Sequence, residues 1–234
     1  MSIPYFYQEG IHSLGAFLLN EETSKHCIQV LRMKAGEALH LTDGKGWLHK
    51  AIITTEHKRN CEVNILESAF QDHKGRKVSI AISLLKNANR LEWFLEKATE
   101  MGISEIIPLL CQRTEKQQFR FDRMNQILIS AMLQSQQTWL PVLTQPTKIE
   151  AVISHSIYPQ KLIAHCEETD KKSIAELAIL NEVQLLIGPE GDFTPTEINL
   201  AIQKGFLPTS LGNTRLRTET AGVVAAALLV NAQR

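Results

Sequence analysis

From Val78 the chain runs through VSIAISLL, an apolar stretch that lacks the alternating polar positions of a half-solvated strand. Successive apolar and β-branched residues fit a strand covered on both faces, which calls for helices above and below a parallel sheet. The segments that follow keep that rhythm. RLEWFLEKATEMG predicts a helix ending at Gly102, with Leu91, Phe94, Leu95 and Ala98 forming a core stripe. ISEIIPLL reads as a second strand and DRMNQILISAMLQSQQ as a longer helix. QKLIAHC, EVQLLIG and FLPTSLG are further strands, and TPTEINLAIQKG and TETAGVVAAALLVNAQ are helices. Such alternation predicts an α/β domain with a mostly parallel sheet.

The first seventy residues read differently. PYFY, GAFLL, EALHLTD, GWLHKAIIT and CEVNILESAF are short strands separated by turn signals such as Asp43-Gly44-Lys45-Gly46. One helix interrupts them, EETSKHCIQVLRM, with Cys27, Val30 and Leu31 on one face. Several short strands with one helix predict a small barrel. QDHKGRK, at 71–77, is polar and charged and reads as a linker. Two domains are therefore expected, 1–72 and 73–234. An apolar fraction of 44% and a charged fraction of 21% fit a folded globular chain. No apolar run approaches the ~20 residues that span a bilayer, and MSIPYFYQEG lacks the basic and apolar regions of a secretory signal. A cytoplasmic protein without a membrane partner is expected. Cys27, Cys61, Cys111 and Cys166 are scattered without a CxxC pair, so no metal site is expected. With 25 basic and 25 acidic side chains, global charge neither favours nor forbids a nucleic-acid partner.

Two loops carry the chemistry. In a parallel sheet, ligands bind beyond the carboxyl ends of the strands, and there LLI runs straight into Gly188-Pro189-Glu190-Gly191. The glycines permit close approaches that a side chain would block, and Pro189 stiffens the turn. Thr194, Pro195 and Glu197 make a capping box for the next helix, which gives Glu197 a structural duty. Glu190 sits on the turn itself, where a structural duty is less obvious. The second loop, SLGNTRLRTETAG, starts as Leu211 ends a strand and Gly212 opens the bend. Its helix begins near Thr218, whose hydroxyl is placed to cap it, with Glu219 favourable in the first turn. Arg215 and Arg217 stand on the loop side, where a guanidinium can meet an anion or a base edge. No GxxxxGK[ST], GxGxxG or GxSxG stretch is present, which leaves the common nucleotide-binding and hydrolase motifs without support.

LLIGPEGDFTPTEI paired with LGNTRLRTETA resembles the RsmE family, SPOUT-class enzymes that methylate N3 of a uridine in the 16S RNA of the small ribosomal subunit. HCIQVLRMKAGEALHLTDGKG, LEKATEMGISEIIPLLCQRT and QSQQTWLP resemble other segments of that family, so the likeness covers most of the chain. It implies a PUA-like RNA-binding β-barrel followed by a SPOUT-type parallel sheet whose C-terminal path forms a deep trefoil knot. It implies S-adenosylmethionine as cofactor and a homodimer with sites near the interface. The cofactor walls would be Leu186, Ile187, Gly188, Pro189, Glu190 and Gly191 on one side. Leu211, Gly212, Leu216, Arg217, Thr220 and Ala221 would form the other. The sequence departs from the family at Asp192, usually a second glycine, at Ser130, Leu133 and Gln137 on the central helix, and at Ile3.

Methylation of uridine N3 needs near-attack geometry and a way for a weakly acidic proton to leave. Arg217 is the candidate for orientation and charge stabilisation, with Glu190 and Glu219 as candidate bases. For RNA, Arg32, Lys34 and Lys45 of the first domain and Arg215 of the second are the candidates. Lys50, Lys58 and Arg59 lie close by in sequence, and Trp47 either stacks on a base or fills the barrel core. The expected partner is 16S ribosomal RNA or the assembled small subunit. Two rivals remain at this level: a non-catalytic RNA-binding protein with a degenerate cofactor domain, and a methyltransferase for another RNA nucleotide.

Overall fold

The structure, a computed structural model, describes residues 3–115, 118–167 and 170–232. It divides into two compact units. One comprises Met1–His73 together with Met132–Leu140, and the other Lys74–Ala131 and Pro141–Arg234.

In the first unit β1 (Tyr5–Tyr7), β2 (Gly15–Leu18), β3 (Ala38–Thr42), β4 (Trp47–Thr55) and β5 (Glu62–Phe70) form a mixed sheet ordered β1-β3-β4-β5-β2. Only β1 and β3 run parallel, with Phe6 opposite Leu41. Phe6, Leu39, Leu41, Ile53, Val63 and Ile65 close a core over which Cys27 and Met33 pack. The helix before it departs from the expected stripe. α1 covers Glu21–Lys25 and is followed by a π-helical turn, His26–Val30, in which the Leu31 N–H reaches back to the His26 carbonyl. The wider turn rotates the face, so Cys27 is buried whereas Val30 and Leu31 are 63% and 46% exposed. Met33 takes the inward place after Arg32 turns the chain at φ +55°.

Strand-like pairing also draws a distant segment into this unit. Lys45 bridges Trp139, the Gly46 N–H donates to the Thr138 carbonyl, and the Trp139 indole donates to the Gln71 carbonyl. Gly46, at φ +98°, makes room for this: a Cβ there would lie 2.6 Å from the Trp139 ring.

The second unit holds β6 (Lys77–Ser83), α2 (Ala88–Glu100), β7 (Glu105–Leu110), α3 (Phe121–Gln134, whose last turn belongs to the first unit), β8 (Val142–Leu143), β9 (Thr147–Lys148) and α4 (Ile149–His155). β10 (Gln160–Ala164), β11 (Lys172–Ser173), β12 (Glu182–Ile187), α5 (Pro195–Gln203), β13 (Leu207–Ser210) and α6 (Thr218–Val230) complete it. Every pairing is parallel, in the order β11-β13-β10-β12-β6-β7-β8, with β9 also on β7. β6 and β12 lie in the middle and are buried on both faces, with the buried Gln184 amide donating to the Ser79 hydroxyl between them. On α2 the stripe Leu91, Phe94, Leu95 and Ala98 is buried, and Gly102 at φ +84° follows the helix end. α6 stops at Val230, short of the apolar–polar run expected to 233, and Gln233 lies outside the described residues. Within the stretch read as a linker, Arg76 is buried rather than solvated, donating to the carbonyls of Ile179 and Ala232. β8, β9, α4 and β11 carry too few residues to leave a periodic pattern.

Candidate active site

β13, β10 and β12 are neighbours in that order, so their carboxyl ends lie side by side. The three loops that leave them, after Ala164, Ile187 and Ser210, enclose a cavity of about 660 Å³. The turn after β12 is its most heavily braced wall. The Asp192 N–H closes a turn on the Pro189 carbonyl, and Phe193 fills the space where a Cβ on Gly188 would stand, its N–H only 3.1 Å away. Thr194 caps α5 with the expected box. Glu197 is buried there and accepts from the Thr194 N–H (2.7 Å) and hydroxyl, and also from the Gln112 N–H (2.8 Å), so its carboxylate ties the loop after β7 to the cap. From the same β7 loop, Arg113 donates to the Gly191 carbonyl at 2.7 Å.

The loop after β13 meets this turn through α6. Its N-cap position is Arg217, which makes no side-chain cap bond. Thr218 is the first helical residue, and its hydroxyl donates across to the Gly188 carbonyl at 3.1 Å. The expected capping duty of Thr218 is thus replaced by a bond between the two walls: as the helix's first residue, its side chain is turned toward the neighbouring strand end.

Of the residues singled out in the sequence, Ile187, Gly188, Pro189 and Glu190 line the cavity from one side. Leu211, Gly212, Arg215, Leu216, Arg217 and Ala221 line it from the other. Four others stand off it. Leu186 points to the opposite face of β12, among Ala81, Ile163 and Phe193. Gly191 faces the Arg113 side chain. Glu219 is buried against α2, where one carboxylate oxygen lies 3.5 Å from Arg90 and the other has no hydrogen-bond partner among the described residues. Thr220, half-buried on α6, is not part of the cavity lining.

Sequence reasoning missed the third wall. His165, Cys166 and Lys171, on the loop after β10, all line the cavity, as does Asp192. The Lys171 ammonium donates to the carbonyls of His165 and Glu167. His165 is 7% exposed, and neither ring nitrogen has a partner among the described residues. Burial first, and the Lys171 charge second, hold its imidazole below the usual histidine range, which favours the neutral ring. The available signal was positional: QKLIAHC ends on the same edge of a parallel sheet as the other two strands.

Arg32, Lys34 and Lys45 belong to the first unit and Arg215 to the second. Lys34 pairs with Glu56, Lys45 with Glu9, Lys50 with Glu67 and Arg59 with Glu21, all at the surface. Trp47 is 41% exposed, its ring parallel to His49 and edge-on to Phe70, so it does not fill the core.

Comparison with known proteins agrees with this architecture. Residues 72–230 match the model of an RNA methyltransferase domain, and residues 19–66 that of an RNA methyltransferase PUA domain. The ribosomal RNA small subunit methyltransferase E of Synechocystis is 32% identical over 211 residues, covering 86% of this chain and 69% of that protein. A solved Porphyromonas gingivalis protein superposes with a TM-score of 0.90 at 36% identity over 96% of each chain. The ribosomal RNA small subunit methyltransferase E of Neisseria gonorrhoeae, solved with S-adenosylmethionine bound, superposes with a TM-score of 0.88 at 28% identity, covering 97% of this chain and 96% of that one. With a three-loop cavity at the strand ends and a domain model spanning most of its length, the chain belongs to the RNA methyltransferase family that includes ribosomal RNA small subunit methyltransferase E.

Proposed function

We propose that the chain methylates N3 of a uridine in 16S ribosomal RNA, with S-adenosylmethionine held in the cavity at the ends of β10, β12 and β13. The observation that carries this reading is the convergence of Gly188–Glu190 and Leu211–Arg217 on one cavity. The residues present fit the cofactor. A volume of about 660 Å³ lies within the range of small-molecule sites. Ile187, Leu211 and Leu216 offer apolar surface for a purine, while the carboxylate of Glu190 suits a positively charged ligand. The buried, unpartnered His165 ring adds hydrogen-bonding capacity on the third wall.

When bound, the cofactor supplies a methyl group on a sulfonium, ready for displacement. The chain's own residues must hold the uracil in line and manage the N3 proton. Arg217, exposed at the start of α6 on the cavity wall, can orient the base and stabilise negative charge developing on its ring oxygens. Glu190 stands on the exposed side of the cavity and is the better placed of the two candidate bases, since Glu219 is engaged beside Arg90. Binding of RNA is assigned to the first unit, with 16S ribosomal RNA or the assembled small subunit as partner. Exposed ion pairs such as Lys34–Glu56 and Lys45–Glu9 are worth about 0–1 kcal/mol, so their lysines exchange carboxylate for phosphate at little cost.

The protein is also proposed to act as a homodimer, its C-terminal path threaded through a trefoil knot as in the family it resembles. α6 supports the dimer. Beside the stripe that packs inward through Gly222, Ala225, Ala226 and Leu229, it carries a second, uncharged one in Thr220, Val223, Val224, Ala227 and Leu228 that is only half-buried in the single chain.

Nucleoside mass spectrometry of 16S ribosomal RNA from cells with and without the protein tests the reaction. Loss of N3-methyluridine is expected without it, and an unchanged level would overturn the reading. With purified protein, Arg217→Ala should lower kcat by roughly a hundredfold or more, and calorimetry measures how far its place on the cavity wall also contributes to cofactor affinity. Normal turnover would remove Arg217 from the mechanism.

A further inference from the structure

One side chain joins the turn after β12 to the loop after β10. Asp192 Oδ2 accepts from the Cys166 N–H at 2.8 Å, and Oδ1 from the Phe193 N–H at 2.9 Å. Both Asp192 and Cys166 line the cavity. Asp192 holds φ at +64°, in the left-handed region that glycine enters freely and an L-residue enters at a cost. A chain needing only a tight turn here would be served by glycine. A carboxylate in that conformation is matched by what it does: it satisfies a backbone donor of its own turn and another 26 residues earlier.

Among the described residues of the loop it reaches, the other side-chain hydrogen bonds are local. Lys171 binds the His165 and Glu167 carbonyls, which are bonds within the loop, and the His165 ring makes none among the described residues. We propose that Asp192 is a positioning residue for the methyl donor. Its carboxylate fastens the loop after β10 to the Gly188–Asp192 turn, so that two walls of the cavity are set before the donor enters. Without that bond, the ordering of the loop falls on the binding step and affinity drops. The inference rests on the cofactor reading above, and its test separates the two.

Asp192→Gly removes the carboxylate and suits the backbone angle. Asp192→Asn keeps one side-chain oxygen able to accept from Cys166. Calorimetry with S-adenosylmethionine and with S-adenosylhomocysteine, whose sulfur is uncharged, distinguishes a latch from simple charge attraction. Asp192→Gly should weaken both ligands by the same factor, about tenfold or more, while its urea midpoint stays level or rises as backbone strain is relieved. Asp192→Asn should recover most of the affinity. Weakening of the sulfonium ligand alone, or no change in either, would overturn the proposal. Binding lost in step with the urea midpoint would do so too, since a merely structural role predicts that pattern. If the unmodified protein binds neither ligand, the cofactor reading falls by itself. The latch is then read from hydrogen exchange at the Cys166 amide, which should quicken tenfold or more in Asp192→Gly and, if unchanged, refutes it.

Discussion

Gly222 of α6 packs against Phe94 of α2, and enlarging it tests how that packing supports the site. A Cβ at this position would stand 2.5 and 2.6 Å from two Phe94 ring carbons and 3.0 Å from the end of Ile82. Carbon atoms normally settle near 3.5–4.0 Å, so Gly222→Ala asks the ring to retreat by roughly 1 Å. Phe94 and Ile82 are fully buried and have no solvent to retreat into. Overpacking of this kind costs about 1–3 kcal/mol. Alanine regains about 1 kcal/mol over glycine in a helix interior. The balance is a net loss of about 1 kcal/mol, or a fall in Tm of roughly 2–4 °C for a chain of this size. Urea unfolding followed by tryptophan fluorescence is a suitable assay because Trp93 adjoins Phe94 on α2. In the double variant Gly222→Ala/Phe94→Leu the smaller side chain should return part of the loss, with a coupling of about 1 kcal/mol. If Gly222→Ala instead stabilises the protein by about 1 kcal/mol, as at a solvent-facing helix glycine, the packing argument is wrong. The same displacement would move Thr218, one turn earlier on α6, so cofactor affinity should fall together with stability.

Thr218→Val keeps the side chain's shape but leaves the Gly188 carbonyl without its donor. Calorimetry should show weaker S-adenosylmethionine binding, and urea unfolding a loss of about 1–2 kcal/mol. Glu197→Ala removes a buried acceptor for Thr194 and Gln112 and should cost about 2–4 kcal/mol in urea unfolding. His165, His40 and His49 each have a folded-state pKa lowered from 6.5, by burial first and, for His165 and His40, by a nearby lysine second. Their neutral forms therefore contribute stability that is complete above about pH 6.5 and is lost as the pH falls through the folded-state values. Urea midpoints between pH 5 and 8 should decline on the acid side, and His165→Asn should flatten that decline.

The central strands were legible because Ile80, Ala81 and Ile82 in β6 and Leu185, Leu186 and Ile187 in β12 are consecutive apolar residues, and the α2 stripe because its residues recur every three or four. The capping box at Thr194 was legible because both of its bonds are local. The turn after α1 was not, since a π-helical bond at Leu31 rotates a face without altering composition. Thr218 misled because its hydroxyl bonds a carbonyl 30 residues away rather than its own helix. Glu219 misled because its partner, Arg90, comes from another helix. The third wall of the cavity depended on strand order: β10 is inserted between β13 and β12, and nothing within QKLIAHC records which strands will flank it.

Met132–Leu140 belongs to the unit that begins at the N-terminus, and this has a consequence for biosynthesis. A ribosome emitting the chain releases most of that unit early, yet one of its stitches, at Trp139, arrives only after β6, α2, β7 and all of α3 have been made. At about 5–20 residues per second the delay amounts to several seconds. Throughout that interval Gly46 and the Gln71 carbonyl wait for the indole that will cover them. The nascent protein therefore cannot complete its two halves one after the other and must finish the first while the second is already under way.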